Sequence, residues 1–441
     1  MNSIRKSLKS LNWKLYISLM VMGLCPTIYT TVRVFLIGQL PGEWSFSIAG
    51  QLSLVNLLYE IIDEAIILPL YFFMGKVVED KKEFTNRIKT GLCISLCLYI
   101  VLSILVCIFA EPLLSIMATN RDILKESVVY IRIESVANIF VLLSSFMLVC
   151  LITLGKEKLV YILTGAKLIL NIIFDVFFVS TLKISANLGV NGIGYSNIIV
   201  NTVLAVISIS LLAKEGIPVF SKGKISFSWI KDFIKIGGIS GLESLVRNAA
   251  YMVMISRMIN VVNEQGTYWV ANNFIWGWLL LPVIQLGELI KQEVSTDEKA
   301  IKNNTIGYFA ITGITCLIWG ITIPLWKPFM SNILLFSDVD KLFTLVIILL
   351  GFYVLYAFQN VFDCEFYGLG KTSYMLFESI VTNTIYYGGA FILYRMGIWV
   401  PSLIGIALLF GIGNVFDTIV SGAVYVYMLR KKQINIFEVD E

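Results

Sequence analysis

The chain has 441 residues, of which 57% are hydrophobic and 15% charged, and its formal net charge is only +4. A soluble domain is usually about 25% charged, so the composition excludes an ordinary soluble fold, and the small net charge gives no reason to expect a nucleic-acid partner. There is no histidine, and the seven cysteines sit in or at the ends of apolar runs, which leaves no His-based triad or proton shuttle and no Cys/His metal cluster.

A basic N-terminus (Arg5, Lys6, Lys9, Lys14) precedes an apolar stretch from Trp13 to Gly38 that is too long for a signal-peptide core, so it is expected to stay as a first span. Apolar segments of about the 20 residues a bilayer requires then recur. They lie at 13–38, 48–75, 90–110, 127–154, 158–181, 189–213, 232–260, 268–290, 304–326, 342–364, 372–394 and 401–429. Runs such as Ile94–Phe109, Ile139–Leu154, Ile306–Trp326 and Leu342–Phe358 carry no charge at all. Lipid offers no partner to a free peptide group, so these segments must be helices. The expected fold is an all-α membrane protein of twelve spans with the lipid bilayer as its first partner.

Charge in the connections sets the orientation. The side holding the N-terminus carries 23 Lys and Arg, and the other side 6. The positive-inside rule therefore expects both termini in the cytoplasm and the chain in the cytoplasmic membrane. The longest internal connection, 214–235, follows span six. It divides the chain into an N-terminal lobe 1–213 and a C-terminal lobe 236–441, and its segment Ile225–Lys235 reads as an amphipathic helix on the membrane surface. Similar anchors recur in each half. Leu154-Gly155-Lys156 and Leu369-Gly370-Lys371 follow spans four and ten. Asn171 and Asn383 lie early in spans five and eleven, and Gly192-Ile193-Gly194 and Ile404-Gly405 open spans six and twelve. Six spans per repeat give both halves one orientation, hence a pseudo-two-fold axis along the membrane normal and a central cavity between two six-helix bundles.

Charges inside spans are costly and are kept where they are paired or line water. In chain order, span one carries Arg33 with Pro26, a residue that frees a helical carbonyl and permits a bend. Span two carries Glu60, Asp63 and Glu64 on one helix face, coupling-ion candidates for which Arg33 is the expected partner. Asn171 and Asp175 lie four apart in span five, where an amide beside a carboxylate can take a proton or a small cation, or can only tie helices together. Glu243, Arg247 and Arg257 are in span seven, the first two spaced for an i,i+4 pair. Pro282 and Glu288 are in span eight. A shift of 224 residues carries Arg33 onto Arg257 and Glu64 onto Glu288, so each half is expected to hold the same Arg-and-Glu device. Asp363, Glu365 and Glu378 are further acidic positions in spans ten and eleven. No phosphate loop, GxSxG, HExxH or channel-filter motif occurs, so neither an enzyme nor a bound cofactor or metal is expected.

An ordered set of motifs resembles the multidrug and toxic compound extrusion (MATE) family over nearly the whole chain. It runs from Ala110-Glu111-Pro112-Leu113-Leu114 and Tyr130-Ile131-Arg132-Ile133 to Asn171-Ile-Ile-Phe-Asp175 and Leu188-Gly189-Val190-Asn191-Gly192-Ile193-Gly194. It continues through Gly241-Leu242-Glu243-Ser244-Leu245 to Leu281-Pro282-Val283-Ile284-Gln285-Leu286-Gly287. The resemblance implies a cation-coupled antiporter with two lobes in a V, exporting organic solutes that are often cationic and amphipathic. It places Asn171 and Asp175 at positions the family uses for proton or sodium coupling. The chain departs from the family in two places: Arg33 stands where span one usually has an acidic residue, and Asp63-Glu64 stands in a usually Gly-rich stretch. These departures widen the expected substrates to zwitterionic, peptide-like or anionic solutes. The rival reading is a flippase for a lipid-linked oligosaccharide or similar anionic lipid, with Arg33, Arg247 and Arg257 on the pyrophosphate. A third is a sensor in which every buried charge is a lock. A monomer is expected.

Overall fold

A computed structural model describes residues 2–42, 44–220 and 225–438. All its regular elements are helical. They are α1 (Asn2–Ser10), α2 (Trp13–Gly38), α3 (Ser45–Gly75), α4 (Lys81–Ile116), α5 (Arg121–Thr153), α6 (Glu157–Val179), α7 (Asn191–Lys214) and α8 (Ile230–Tyr251). After these come α9 (Arg257–Val261), α10 (Gln265–Phe274), α11 (Leu281–Thr296), α12 (Ala300–Asn332), α13 (Val339–Gly368), α14 (Thr372–Val381), α15 (Gly388–Arg395) and α16 (Leu403–Lys432).

Among the described residues nine helices are long and apolar enough to cross a membrane, and ten if α10 and α11, bent by 54° at their junction, count as one span. The remaining two expected spans are present as helical passes interrupted by a π turn. One runs from α8 through the turn Met252–Ser256 into α9, and the other from α14 through Thr382–Tyr387 into α15. A third π turn, Ile275–Leu279, precedes the bend, and Pro282 opens α11 immediately after it. Proline tolerates the first turn of a helix, where its missing N–H costs nothing. By contrast, Pro26 lies inside the unbroken α2.

Helix ends follow local chemistry. Asp80 caps α4 by accepting from the amides of Lys82 at 2.9 Å and Glu83 at 3.2 Å, and Asn120 caps α5 by accepting from Asp122 at 2.9 Å. The two Leu-Gly-Lys anchors are the same device twice. Gly155 (φ 69°) and Gly370 (φ 65°) take the left-handed conformation that closes a helix. The following Lys amides bond back to Leu151 at 3.0 Å and to Phe366 at 2.8 Å.

The chain forms two compact units, each discontinuous in sequence: Val32–Trp269 and Met1–Thr31 with Val270–Glu441. Their boundaries lie inside α2 and α10, not at 214–235. In the first unit α5 packs along α4 and α7, and α3 packs on α5 and α8. One core there gathers Leu54, Tyr59, Tyr99, Val106, Ile131 and Leu142. In the second unit α13 packs on α11, α12 and α16, and α1 lies along α12.

The expected surface helix 225–235 is not a separate element. Residues 225–229 have no helix and α8 starts at Ile230, while Ser221 and Gly223 of this connection lie outside the described residues. Trp229 is the reason. Its indole donates to Thr90 at 2.9 Å, its ring packs on Phe73 and Phe233, and the Arg87 guanidinium lies over it. The apolar face expected in lipid is buried in the protein, leaving Phe227 exposed.

The approach of α8 to α3 rests on Gly237 and Gly241, a small-xxx-small pair. A Cβ on Gly237 would run into the Ala65 carbonyl oxygen, and one on Gly241 would lie 2.9 Å from the Ala65 Cβ. Gly238 faces open space. Thermal unfolding in detergent is expected to show Gly237→Val destabilised by about 1–3 kcal/mol through overpacking, with Gly238→Ala near wild type. Equal melting of both variants would refute this close approach.

Candidate functional site

The first unit holds two ionic clusters, built on different helices. In the deeper one α2 supplies Arg33, α5 Glu134, α6 Asn171 and Asp175, and α7 Asn197. Asp175 and Glu134 are 1% and 2% exposed. Arg33 grips Asp175 in a forked pair, Nε to Oδ2 at 2.8 Å and Nη2 to Oδ1 at 3.3 Å. The same Nη2 donates to Asn197 Oδ1 at 3.1 Å. Asn197 then donates through Nδ2 to both oxygens of Glu134 at 3.1 Å. One guanidinium thus serves two buried carboxylates, one directly and one through an amide. Among the described residues no Lys or Arg is in ion-pair contact with Glu134, and Arg33 alone is so with Asp175. Asn171, one turn before Asp175 and 1% exposed, has a carbonyl oxygen with no hydrogen-bond partner among the described residues. A buried amide oxygen beside a carboxylate is a good acceptor for a proton-bearing group or a small cation.

This arrangement corrects the expected pairing. Arg33 does not neutralise the carboxylates of span two. Those belong to the second cluster, between α3 and α8. Arg247 Nη2 meets Glu60 at 3.1 Å and Glu64 at 2.5 Å, and its Nη1 meets Glu243, one turn earlier on α8, at 3.6 Å. Asp63 turns away from these partners and accepts from the Tyr99 hydroxyl. Arg247 and Glu60 are 38% and 44% exposed at their side chains, so this cluster is open where the Arg33 cluster is closed.

The repeated Arg-and-Glu device is not found. Arg257 belongs to the first unit, where its Nε donates to the Ile116 carbonyl at 3.0 Å. Glu288 belongs to the second unit and pairs with Lys291 at 2.8 Å on an exposed helix face. The 224-residue shift is a coincidence of numbering.

The second unit has its own polar centre, which rests partly on residues the sequence reading did not name. Gln359 donates to Asp417 Oδ2 at 2.6 Å and to Asp363 Oδ2 at 3.3 Å. Thr382, first residue of a π turn, donates to the other Asp417 oxygen at 2.7 Å, and Ser421 donates to Asp363 at 2.9 Å. These donors are an amide and two hydroxyls. Glu365 is fully buried nearer the end of α13 and accepts from Thr305 at 2.5 Å. Glu378 is 4% exposed on α14. Glu134, Asn197, Gln359 and Asp417 were all missed. The signal for Glu134 and Asp417 was present, since each is a lone acid within a span. Among the described residues no group of three or more Cys, Asp or Glu is arranged to hold a metal ion.

Comparison with known proteins agrees with this architecture. The MatE family model matches residues 78–177, a stretch that contains Glu134, Asn171 and Asp175. Solved structures share the fold over almost the full length. One is a multidrug resistance MATE family transporter of the MOP superfamily in its inward-facing conformation (TM-score 0.78, 18% identity, 95% of this chain and 98% of that one). Another is a MATE in complex with MaD3S (0.70, 18%, 98% of each chain). A third is a MOP superfamily transporter from Pyrococcus furiosus Vc1, described as having a binding pocket of reverse polarity that suggests a different function (0.70, 17%, 99% of each chain). No curated protein matches the chain. The resemblance read from the sequence is therefore borne out: the chain is a multi-pass, all-α membrane protein with the fold of MATE transporters.

Proposed function

We propose that this chain, with its MATE transporter fold, is a secondary active antiporter. It exports organic solutes, drug-like or amphipathic, across the cytoplasmic membrane by alternating access, driven by a proton or sodium gradient. The observation that carries the reading is the buried set Arg33, Asp175, Asn197 and Glu134, in which two carboxylates share one guanidinium. A proton or small cation arriving at Asp175, with Asn171 Oδ1 as a further oxygen, competes with Arg33 for the carboxylate. Binding there shifts the population between two arrangements of the helices that carry these groups. In the outward-open state ion binding favours substrate release. Glu60, Glu64 and Arg247 are polar groups open enough to meet a solute, with the buried Glu243 behind Arg247. The division into six-span halves, a monomeric unit and cytoplasmic termini belong to the same proposal, the last from the Lys and Arg bias of the connections.

The flippase reading needs guanidinium groups free for a pyrophosphate. Arg33 and Arg247 are each held by carboxylates, and Arg257 is bonded to a backbone carbonyl. The structure of these sites therefore favours export of a solute over lipid flipping. The test is efflux from proteoliposomes loaded with fluorescent organic cations, under an imposed proton gradient and then a sodium gradient. Movement under one gradient that stops when it is collapsed supports the antiporter. No movement of any cation under either gradient overturns it.

A further inference from the structure

The last helix of the second unit ends in Arg430, Lys431 and Lys432, and the chain then turns back through Gln433 in the left-handed conformation (φ 55°). The turn is fixed by the amide of Ile434 bonding to Leu429 at 3.0 Å, and Ile434 packs into the core beneath. Between this returning tail and helices α12, α13 and α16 lies a cavity of about 570 Å³. Its floor is aromatic. Phe309 meets Phe362 edge-on with centroids 5.7 Å apart, and Phe362 stacks on Tyr425 at 4.5 Å. Val426 and Ile436 continue the apolar wall, and Arg430 stands in the lining as its one charged group.

Three features together say what fits. First, the volume is that of a ligand cleft, within the range of about 300–1,000 Å³, and its walls are mostly apolar, with Gln433 and Asn435 as the polar exceptions beside Arg430. Second, Arg430 is exposed and, among the described residues, no carboxylate or hydrogen-bond acceptor engages its guanidinium. Its neighbours are already used, Lys432 on Glu298 and Lys431 over the Tyr427 ring. Third, the position is the end of a membrane span on the side with the excess of Lys and Arg, the level at which phosphate head groups lie and where basic pockets between spans recognise anionic lipids. We propose that this cavity is a binding site for an anionic phospholipid, with one acyl chain against Phe309, Phe362 and Tyr425 and the phosphate on Arg430. The inference does not depend on what the chain transports.

The experiment uses the full chain in phosphatidylcholine vesicles carrying a trace of phosphatidylglycerol with a photoactivatable acyl chain. The comparison is phosphatidylcholine bearing the same chain, and adducts are mapped by peptide mass spectrometry. The expected result is labelling concentrated on Phe309, Phe362 and the 425–437 segment, about fivefold stronger for the anionic lipid, as one basic contact at the membrane surface provides. Arg430→Gln should remove the preference and Arg430→Lys keep most of it. Because Arg430 has no partner to lose among the described residues, these variants are expected to keep the fold. Val426→Trp, which fills the cavity without touching charge, should reduce labelling by both lipids. Adducts spread evenly over lipid-facing helices, equal labelling by both head groups, or a preference unchanged in Arg430→Gln would each overturn the proposal.

Discussion

Asp175→Asn is expected to abolish gradient-driven efflux and also to weaken the fold. The side chain is 2% exposed and takes two bonds from Arg33. Removing one member of a buried pair strands the other charge, at a cost of about 3–5 kcal/mol. Stability loss alone would not reveal coupling, so the informative variant is the triple change Arg33→Gln, Asp175→Asn and Glu134→Gln. Arg33 serves both carboxylates, so all three groups must be neutral to leave no buried charge stranded. Thermal unfolding in detergent should recover most of the loss seen in Asp175→Asn, while efflux stays at background, since no carboxylate remains in this cluster to take the ion. Recovery of both stability and efflux in the triple variant would make the Arg33–Asp175 pair a lock and end its role in coupling. Wild-type efflux by Asp175→Asn alone would do the same.

Arg247→Gln is the second large effect. Glu60, Glu64 and Glu243 all converge on this one guanidinium, and its loss leaves three carboxylates facing one another across the α3–α8 contact. Full burial would put the cost at the upper end for a broken ion pair. Exposures of 38% at Arg247 and 44% at Glu60 place it lower, at about 2–3 kcal/mol. Lysine cannot fork to two carboxylates, so Arg247→Lys should fall between. Adding Glu60→Gln and Glu64→Gln to Arg247→Gln should recover most of the loss, because the repulsion and not the missing contact dominates. The check is the unfolding temperature of the purified variants. An Arg247→Gln protein that melts with wild type would show the cluster to be solvated and energetically idle.

These two clusters also show where sequence reading stops. The apolar runs, the charge bias and the Leu-Gly-Lys caps are local properties, and local properties were legible. So was the i,i+4 geometry that puts Glu243 on Arg247 and Asn171 on the face of Asp175. Which helix faces which is not local. For Arg33 the three acids of α3, nearest in sequence, were the expected partners. The structure gives Arg33 to α6 because α3 turns its carboxylates toward α8, which docks there through Gly237 and Gly241. Gly241 was read as part of a family motif and Gly237 was not singled out, so neither was read as the contact that decides the pairing. Glu134 was passed over because it sits one residue beyond a recognised motif. Asp417 was passed over because it is a lone acid in an otherwise apolar helix, and Gln359 because it is uncharged beside the acids of the same span.

The three π turns fall at Met252–Ser256, Ile275–Leu279 and Thr382–Tyr387, in spans seven, eight and eleven. Their counterparts in the expected repeat are spans one, two and five, and α2, α3 and α6 run through without one. A π turn replaces the i→i+4 ladder over one turn with wider i→i+5 bonds. Spans seven, eight and eleven are therefore each interrupted at a fixed point of their backbone ladder, while α2, α3 and α6 are continuous. An interrupted ladder is a place where a helix can bend without a proline, and each of these three spans has one built in.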